Sequence, residues 1–267
     1  MKPVAGRKDP LMLRLSALHC EAGRLKHGSY FIEGAELVRR AVDFGAEIEA
    51  VVLTTGFAKT DEGAHLLDKT EGAGARAYSA SAGLLSSVLG AKPIPHCLAV
   101  VARRTISLAE AAGSPNTLVQ MVESGESADN LGMLLRTADA AGVDSVVLAA
   151  DTIEPFNRRT VRGSRGAVFT LPICIAEDPL AAIKRARESG LKVVATSVRG
   201  EKDYAAVDYT KPVMLVVGNE HRGISRAVRE NADVVAGIPM LGRVPSLNIA
   251  VAASIMLYEA VRQRRRA

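Results

Sequence analysis

Polar side chains that could bind or activate a ligand interrupt otherwise apolar patterns in three segments of the chain. In residues 129–142, leucines at helical spacing predict a helix with one buried face, and Arg136 lies off that face. In residues 213–225, an apolar run predicts a buried strand that leads into a loop with Glu220 between two glycines. Because ligands of open α/β sheets bind at the carboxyl ends of strands, this loop is a candidate binding loop. The plain alternatives are a solvated arginine and an ordinary turn.

The third segment, residues 238–253, leads from a strand through a glycine-bearing loop into an almost wholly apolar helix. Ser246 is a natural N-cap of that helix. Asn248 is expected in the first turn among apolar residues, where an amide side chain needs a partner from the backbone or from a ligand. The N–H groups of the first turn would also favour an anionic or carbonyl-bearing ligand.

Four arginines occur between the first and second segments, in a stretch without an acidic residue: Arg158, Arg159, Arg162 and Arg165. This composition predicts a patch that binds phosphate groups. A solvated helix face is the alternative. The net charge of +5 is compatible with a nucleic-acid partner but is too small to indicate one.

Composition narrows the class of protein. The 267 residues are 48% hydrophobic and 24% charged, which is typical of a globular chain and excludes disorder. The longest apolar run, residues 249–258, is too short to span a membrane. The three cysteines are far apart and predict reduced thiols in a cytoplasmic protein. Neither they nor the five histidines have metal-ligand spacing, so no metal site is expected.

Short β-branched runs alternate with helical patterns, and this alternation positions the three segments. Strands are predicted at residues 50–54, 97–101, 118–122, 145–150, 192–196, 213–217 and 234–238. Helices are predicted near the N-terminus and at residues 34–44, 61–70, 80–89, 131–141, 179–189, 225–231 and 246–264. Strand, helix, strand at this spacing predicts βαβ units, and hence an α/β fold with a mainly parallel sheet.

The predicted domain boundary falls in residues 103–115, which are polar and end in Gly-Ser-Pro. The sequence therefore predicts a smaller α/β domain at residues 1–104, a linker at 105–116 and a larger domain at 117–267. The helix of the first segment is expected to be capped by Asp129 or Asn130.

Two glycine-bearing stretches do not match nucleotide-binding fingerprints. The glycines in residues 72–77 follow a helix instead of a strand, and residues 218–223 are not followed by the lysine of a P-loop. A nicotinamide-dependent oxidoreductase, the generic expectation for an α/β chain, is therefore disfavoured.

Together, the three segments resemble the three motifs of the SpoU/TrmH family of RNA 2′-O-ribose methyltransferases, in the SPOUT superfamily. The residues that match are Asn130, Gly132 and Arg136 of N-x-G-x-x-x-R-T-A, Gly218, Glu220 and Gly223 of G-x-E-x-x-G, and Ile238, Pro239, Met240, Ser246, Leu247 and Asn248 of I-P-M…S-L-N. Residues 157–167 are similar to a further segment of the family, so the patch formed by their four arginines is expected to bind the phosphates of RNA. The N-terminal region is similar to the family's substrate-binding domain, which is related to a ribosomal-protein fold of the L30 type.

The resemblance implies a fold and a cofactor. The fold is an α/β knot, in which the C-terminal end of a mainly parallel sheet threads a deep trefoil knot, with a smaller N-terminal L30-like domain that binds RNA. The implied cofactor is S-adenosylmethionine, contacted by Gly218, Ile238, Met240 and Leu247, with Thr196 as a weaker candidate. The resemblance also implies a homodimer with the last helix in its interface.

The implied reaction is methyl transfer to a ribose 2′-hydroxyl of structured RNA, without a metal. Ribosomal RNA is favoured because of the ribosomal-protein-like domain, and transfer RNA stays open. A guanidinium group is an awkward general base, so Arg136 is expected to hold the target phosphate and activate the hydroxyl electrostatically, or to act as base only when desolvated. Asn130, Ser246 and Asn248 would orient Arg136 and the ribose, and Glu220 would order its loop or pair with Arg136. The alternatives are a non-catalytic RNA- or ribosome-binding protein and an enzyme that methylates a base.

Overall fold

The chain folds into two compact units. The computed structural model describes residues 1–90, 94–112, 117–149 and 151–266. The first unit consists of Met1–Arg103 and Phe156–Thr170, and the second of Arg104–Pro155 and Leu171–Ala267. Helices and strands are numbered below in chain order.

The segment Phe156–Thr170 belongs to the N-terminal unit, although the sequence assigns it to the larger domain. One physical reason is that Phe156 is buried and packs its ring against Tyr30, with 4.9 Å between ring centroids. The proposed domain boundaries stay predictions, and residues 113–116 of the proposed linker lie outside the described residues.

The first unit is a mixed sheet of five strands with helices packed on it. Its strands are β1 (Lys2–Pro3), β2 (Ser29–Glu33), β3 (Ile48–Thr54), β4 (Arg76–Ala80) and β5 (Cys97–Ala102), in the order β1-β4-β3-β5-β2. Its helices are α1 (Pro10–Ala17), α2 (Glu21–His27), α3 (Ala35–Asp43), α4 (Asp61–Gly72), α5 (Ala82–Leu89), α8 (Arg158–Ser164) and α9 (Ala167–Thr170). β5 is antiparallel to β2 and β3, and the other pairs are parallel.

The second unit is built on a parallel sheet of seven strands, in the order β10-β12-β9-β11-β6-β7-β8. Its strands are β6 (Leu118–Val122), β7 (Ser145–Ala149), β8 (Ile173–Ala176), β9 (Lys192–Thr196), β10 (Lys202–Asp203), β11 (Val213–Val217) and β12 (Val234–Gly237). Its helices are α6 (Leu108–Ala111), α7 (Ala128–Ala140), α10 (Pro179–Glu188), α11 (Arg226–Asn231) and α12 (Ile249–Arg264). The predicted α/β fold with a mainly parallel sheet is confirmed.

Three strands of the second unit, β6, β7 and β11, were predictable because they are almost wholly apolar. Every residue of β6, β7 and β11 is buried, as expected for parallel strands covered on both faces. The predicted strand at residues 145–150 is confirmed as far as Ala149, and Ala150 lies outside the described residues. The elements that the sequence did not predict include β2, β4, β8 and α8.

Two predicted helix starts are wrong, and the capping hydrogen bonds explain why. Helix α7 begins after Ser127, whose hydroxyl accepts from the Asn130 N–H, so neither Asp129 nor Asn130 is its N-cap. Helix α12 is capped by Asn248, whose Oδ1 accepts from the Ala250 N–H at 2.9 Å, and Ser246 lies before the helix. Because Asn248 caps the helix, the side chain of Ser246 is available for other contacts.

No helix in the described part of the chain is long and apolar enough to cross a membrane. The three cysteines are free thiols: Cys20 is exposed, and Cys97 and Cys174 are buried. Burial raises the pKa of the Cys97 thiol to about 12, so this thiol stays protonated and unreactive.

Candidate active site

The carboxyl ends of the parallel strands in the second unit open into a cleft of about 620 Å³. Its walls are the loops that follow β9, β11 and β12, together with the start of α12. All five residues predicted to contact a cofactor line this cleft: Thr196, Gly218, Ile238, Met240 and Leu247. Residues that are more than forty positions apart in the sequence therefore meet at one sheet edge, as expected for a ligand site in an open α/β sheet.

The loop after β11 requires glycine at both ends. A Cβ atom on Gly218 would collide with the backbone of Gly223 and Ile224. Gly223 has a φ of +68°, in the left-handed region that favours glycine. The two glycine segments pair through hydrogen bonds of 2.9 Å between the backbone groups of Asn219 and Gly223. Glycine is therefore needed at both ends of the motif, because the backbone at Gly218 and Gly223 comes close together to form the loop that contains Glu220.

Asn219, which the sequence did not single out, holds this loop in shape. It is buried, its Oδ1 accepts from the N–H groups of His221 and Arg222, and its Nδ2 donates to Glu126 at 2.9 Å. At the end of the loop the Ser225 N–H donates to Glu123. An asparagine that bonds backbone groups two and three residues ahead is a turn signal that could have been found from the sequence.

A chain of side-chain hydrogen bonds joins the three motifs. The Nδ2 of Asn248 donates to the Oδ1 of Asn130 at 3.0 Å. The Nδ2 of Asn130 donates in turn to the Oε1 of Glu220 at 2.9 Å. Because Glu220 lines the cleft, this chain ends at its wall.

Glu220 has one oxygen without a partner. Its Oε2 is buried and accepts no hydrogen bond from any described residue. Buried carboxylate oxygens normally have a donor, so this oxygen is an acceptor held ready for a ligand.

The other two predicted catalytic residues have fewer contacts. Ser246 is exposed and lines the cleft together with Glu220. Arg136 is exposed on α7 and makes no hydrogen bond or ion pair with any other described side chain. The structure therefore brings together Asn130, Glu220 and Asn248 by direct contact, but not Arg136.

Three further arginines line the cleft and were missed by the motifs: Arg199, Arg222 and Arg229. Arg229 donates to the Ser197 Oγ at 2.7 Å, and Arg222 forms an ion pair with Glu126 at 3.1 Å. Arg222 occupies a variable position of the G-x-E-x-x-G motif, and Arg199 and Arg229 belong to none of the three motifs, so the motif residues gave no signal for them.

The four arginines predicted to bind RNA lie in the first unit, where acids distant in sequence pair with at least two of them. Arg158 forms a bidentate ion pair with Glu33, with distances of 2.7 and 2.8 Å. Arg165 lies 3.5 Å from a carboxylate oxygen of Glu36. The lack of acids within the stretch therefore does not leave these arginines uncompensated, and RNA binding by them stays a prediction. Arg159 and Arg162 are exposed.

Comparison with known proteins agrees with this site. The model of the SpoU rRNA Methylase family matches residues 117–258. The chain is 29% identical over 258 residues to a 23S rRNA (guanosine(2553)-2′-O)-methyltransferase, RlmP, of Bacillus subtilis, and the match covers 97% of this chain and 98% of that protein.

Two solved structures are similar over nearly the whole chain. An AdoMet-bound rRNA methyltransferase from Sinorhizobium meliloti has a TM-score of 0.87 and 31% identity, and the match covers 98% of this chain and 97% of that one. The SpoU methyltransferase AviRb from Streptomyces viridochromogenes, in complex with AdoMet, has a TM-score of 0.87 and 27% identity, with coverage of 97% and 99%.

The fold and the site thus define an α/β methyltransferase with its cleft at the end of a parallel sheet. The chain belongs to the SpoU rRNA methylase family. The family resemblance and the enzyme class predicted from the motifs are confirmed.

Proposed function

We propose that this protein transfers a methyl group from S-adenosylmethionine to a ribose 2′-hydroxyl of 23S-type ribosomal RNA. The observation that carries the proposal is the chain of hydrogen bonds from Asn248 through Asn130 to Glu220, which joins the three motifs at the wall of the cleft. Ribosomal RNA is favoured over transfer RNA because RlmP, a relative that matches over nearly the full length of both chains, is named a 23S rRNA methyltransferase.

The cleft fits the cofactor. Its volume of about 620 Å³ lies in the range of small-molecule sites. The half-buried side chains of Ile238, Met240 and Leu247 offer an apolar surface for an adenine ring, and Gly218 leaves backbone groups open to the ligand. When bound, S-adenosylmethionine supplies an activated methyl group, so positioning by the protein can provide much of the rate.

Asn130 and Asn248 are positioning residues for the ribose. Each amide has two N–H donors, of which one is used within the chain of hydrogen bonds. The second N–H of each is open to an oxygen of the RNA. Glu220 holds the amide of Asn130 in one orientation, and its unpartnered Oε2 accepts from a ligand hydroxyl or amine. Ser246 supplies a further hydroxyl at the same wall.

Arg136 acts as the cation of the reaction. Its guanidinium is exposed and positively charged, so it can hold the target phosphate and stabilise negative charge as the 2′-hydroxyl loses its proton. Bidentate binding of a phosphate requires a planar cation with two donors on one edge, which arginine has and lysine lacks.

We infer further that the first unit binds RNA and that two chains form a homodimer through α12. Along this helix Val251 and Tyr258 are 48% and 50% exposed, with the half-exposed Ile255 between them. Their spacing puts them on one face, and an apolar helix face open to solvent favours association. An rRNA substrate places the protein in the cytoplasm.

The test is methyl transfer from radiolabelled S-adenosylmethionine to unmodified rRNA and, separately, to tRNA. The expected result is alkali-stable label in rRNA, because a 2′-O-methyl group blocks alkaline cleavage at that ribose. Arg136→Ala should reduce the rate on the order of 100-fold or more. Arg226→Ala, which removes an exposed arginine of the same unit, is the matched control and should be unaffected.

Three outcomes would contradict the proposal. Label only in tRNA would overturn the substrate, and label that alkaline hydrolysis leaves entirely in mononucleotides would overturn ribose as the target. Absence of label from every RNA, with cofactor still bound, would favour a non-catalytic RNA-binding protein.

A further inference from the structure

The first unit contains a second cleft, of about 630 Å³, that the methyl-transfer reaction does not use. It lies between the end of β2, the turn after β3, the residues before β5, and α8. Two aromatic rings, two carboxylates and three arginines line it: Phe57, His96, Glu33, Glu62, Arg158, Arg159 and Arg162.

The two rings form a stacked pair. The ring centroids of Phe57 and His96 are 5.9 Å apart and the planes differ by 21°. Phe57 is half-buried, whereas His96 is exposed, so solvent reaches the outer member of the stack. Flat rings at an exposed position are the usual platform for an unpaired nucleobase.

The backbone fixes this platform in place. The Thr54 N–H donates to the His96 carbonyl at 2.8 Å, at the end of the β3–β5 pair, and Phe57 follows in the adjacent turn. A Cβ atom on Gly63 would collide with the Phe57 backbone, which shows how closely α4 packs against this turn. The rings are therefore held by rigid elements and need little ordering when a ligand binds.

Two arginines of the cleft differ in their contacts: Arg158 is bound within the protein, whereas Arg162 is open to solvent. Arg158 is bound to Glu33, a carboxylate only 17% exposed, and donates also to the Leu89 carbonyl. It therefore fastens α8 to the end of β2. Arg162 lies one helical turn further along, is exposed, and makes no hydrogen bond or ion pair with any other side chain in the described ranges. Its guanidinium is open to a phosphate.

We propose that this cleft binds one unpaired nucleotide of the RNA, with its base stacked on His96 and its phosphate held by Arg162. The cleft contains carboxylates as well as arginines, which suits a neutral base with a single phosphate better than a free polyanion. The exposed Glu62 can accept only hydrogen bonds and so favours a base with an amino group. The proposal rests on the proposed function, because it makes the cleft a substrate-positioning site of the same enzyme.

The test uses the full-length protein and a short single-stranded RNA that carries one 2-aminopurine. The chain has no tryptophan, so the base fluorescence can be read without protein background. Stacking on His96 should quench the fluorescence of the 2-aminopurine. His96→Ala or Arg162→Ala should weaken RNA binding on the order of tenfold. His96→Phe keeps an aromatic ring and should restore both the quench and the affinity. His65→Ala and Arg39→Ala remove the same residue types elsewhere in this unit and should change neither.

The same variants are assayed for methyl transfer to rRNA, which separates this proposal from the proposed function. His96→Ala should raise KM on the order of tenfold with kcat unchanged. If the wild-type protein methylates rRNA while His96→Ala alters neither quench nor KM, the nucleotide site is wrong. If the quench is present but no RNA is methylated, the proposed function is wrong and the site stands as an RNA-binding site. Displacement of the RNA by guanosine monophosphate at equal concentration would show instead a site for free nucleotides.

Discussion

At the scale of single residues, the direction of each hydrogen bond in the chain from Asn248 to Glu220 is set by chemistry. Asn130 receives a hydrogen bond on its oxygen from Asn248 and gives one from its nitrogen to Glu220. A carboxylate accepts only, so the amide of Asn130 cannot be turned around. This fixed orientation points its remaining N–H donor in one direction.

Replacing Asn130 by aspartate tests that orientation. The Asn130→Asp variant puts a second carboxylate about 3 Å from Glu220, and the repulsion between the two negative charges favours uptake of one proton as the pH falls. Methyl transfer should fall at least on the order of tenfold at neutral pH, because the donor is lost. Protonation of the pair restores an O–H donor, so the ratio of variant to wild-type activity should rise from about pH 8 to about pH 6. Initial rates across this pH range provide the measurement.

Asn231→Asp is the matched control. Asn231 is exposed in α11, and among the described residues its side chain donates only to the Ala227 carbonyl. The ratio of Asn231→Asp activity to wild-type activity should therefore stay near one at every pH. Full activity of Asn130→Asp at neutral pH would show that the orientation of this amide does not matter.

At the scale of elements, the second unit depends on a close crossing of two backbone segments. Gly200, in the loop after β9, lies against Gly237 at the end of β12, and a Cβ atom on Gly200 would collide with the backbone there. The crossing is held by the Ser197 N–H bond to Ala236 and the Glu201 N–H bond to Val235. Both segments lead into walls of the cleft.

Gly200→Ala should therefore destabilise the second unit. A methyl group at this crossing must push backbone apart, and overpacking of this kind costs about 1–3 kcal/mol or more. Urea unfolding followed by circular dichroism should show a lower midpoint. Cofactor affinity should fall as well, because Thr196 and Ile238 lie at the two ends of the crossing segments.

Gly242→Ala serves as the comparison, since a Cβ atom there meets nothing within 4 Å. Its free energy of unfolding should change by no more than about 0.5 kcal/mol. Equal stability of Gly200→Ala and the wild-type protein would mean that the backbone relaxes at the crossing without cost.

Elements were predictable where burial is uniform and were missed where it is mixed. β6 and β11 are buried at every residue, and their predicted and observed bounds are the same. β4 is half-exposed and β8 has only four residues, so neither gives a distinct periodic signal. The motif resemblance predicted five residues that line the cleft. The contact of Asn130 with partners 90 and 118 residues away depends on the sheet order, which no local pattern contains.

At the scale of the whole molecule, the proposed homodimer depends on the exposed face of α12. The double variant Val251→Arg with Tyr258→Arg places two cations on this face, so two chains would bring like charges together. We expect it to sediment as a monomer where the wild-type protein sediments as a dimer. Sedimentation velocity at several protein concentrations is the measurement.

Leu25→Arg is the control for that experiment, because Leu25 is 53% exposed on α2 in the first unit. It should leave the sedimentation of the protein unchanged. A monomeric wild-type protein would contradict the proposed homodimer. A double variant that still dimerises would show that the interface lies elsewhere.

The strand order of the second unit also bears on how the protein is made. β6 lies beside β11, and the buried Gln120 of β6 donates to the Leu215 carbonyl, 95 residues later. During synthesis β6 therefore leaves the ribosome long before its partner strand exists, and one edge of an apolar strand stays unpaired. Pairing across such distances makes folding slow and exposes intermediates to aggregation. We therefore expect a larger soluble fraction of the overproduced protein at low growth temperature, or with added chaperones, than at 37 °C without them.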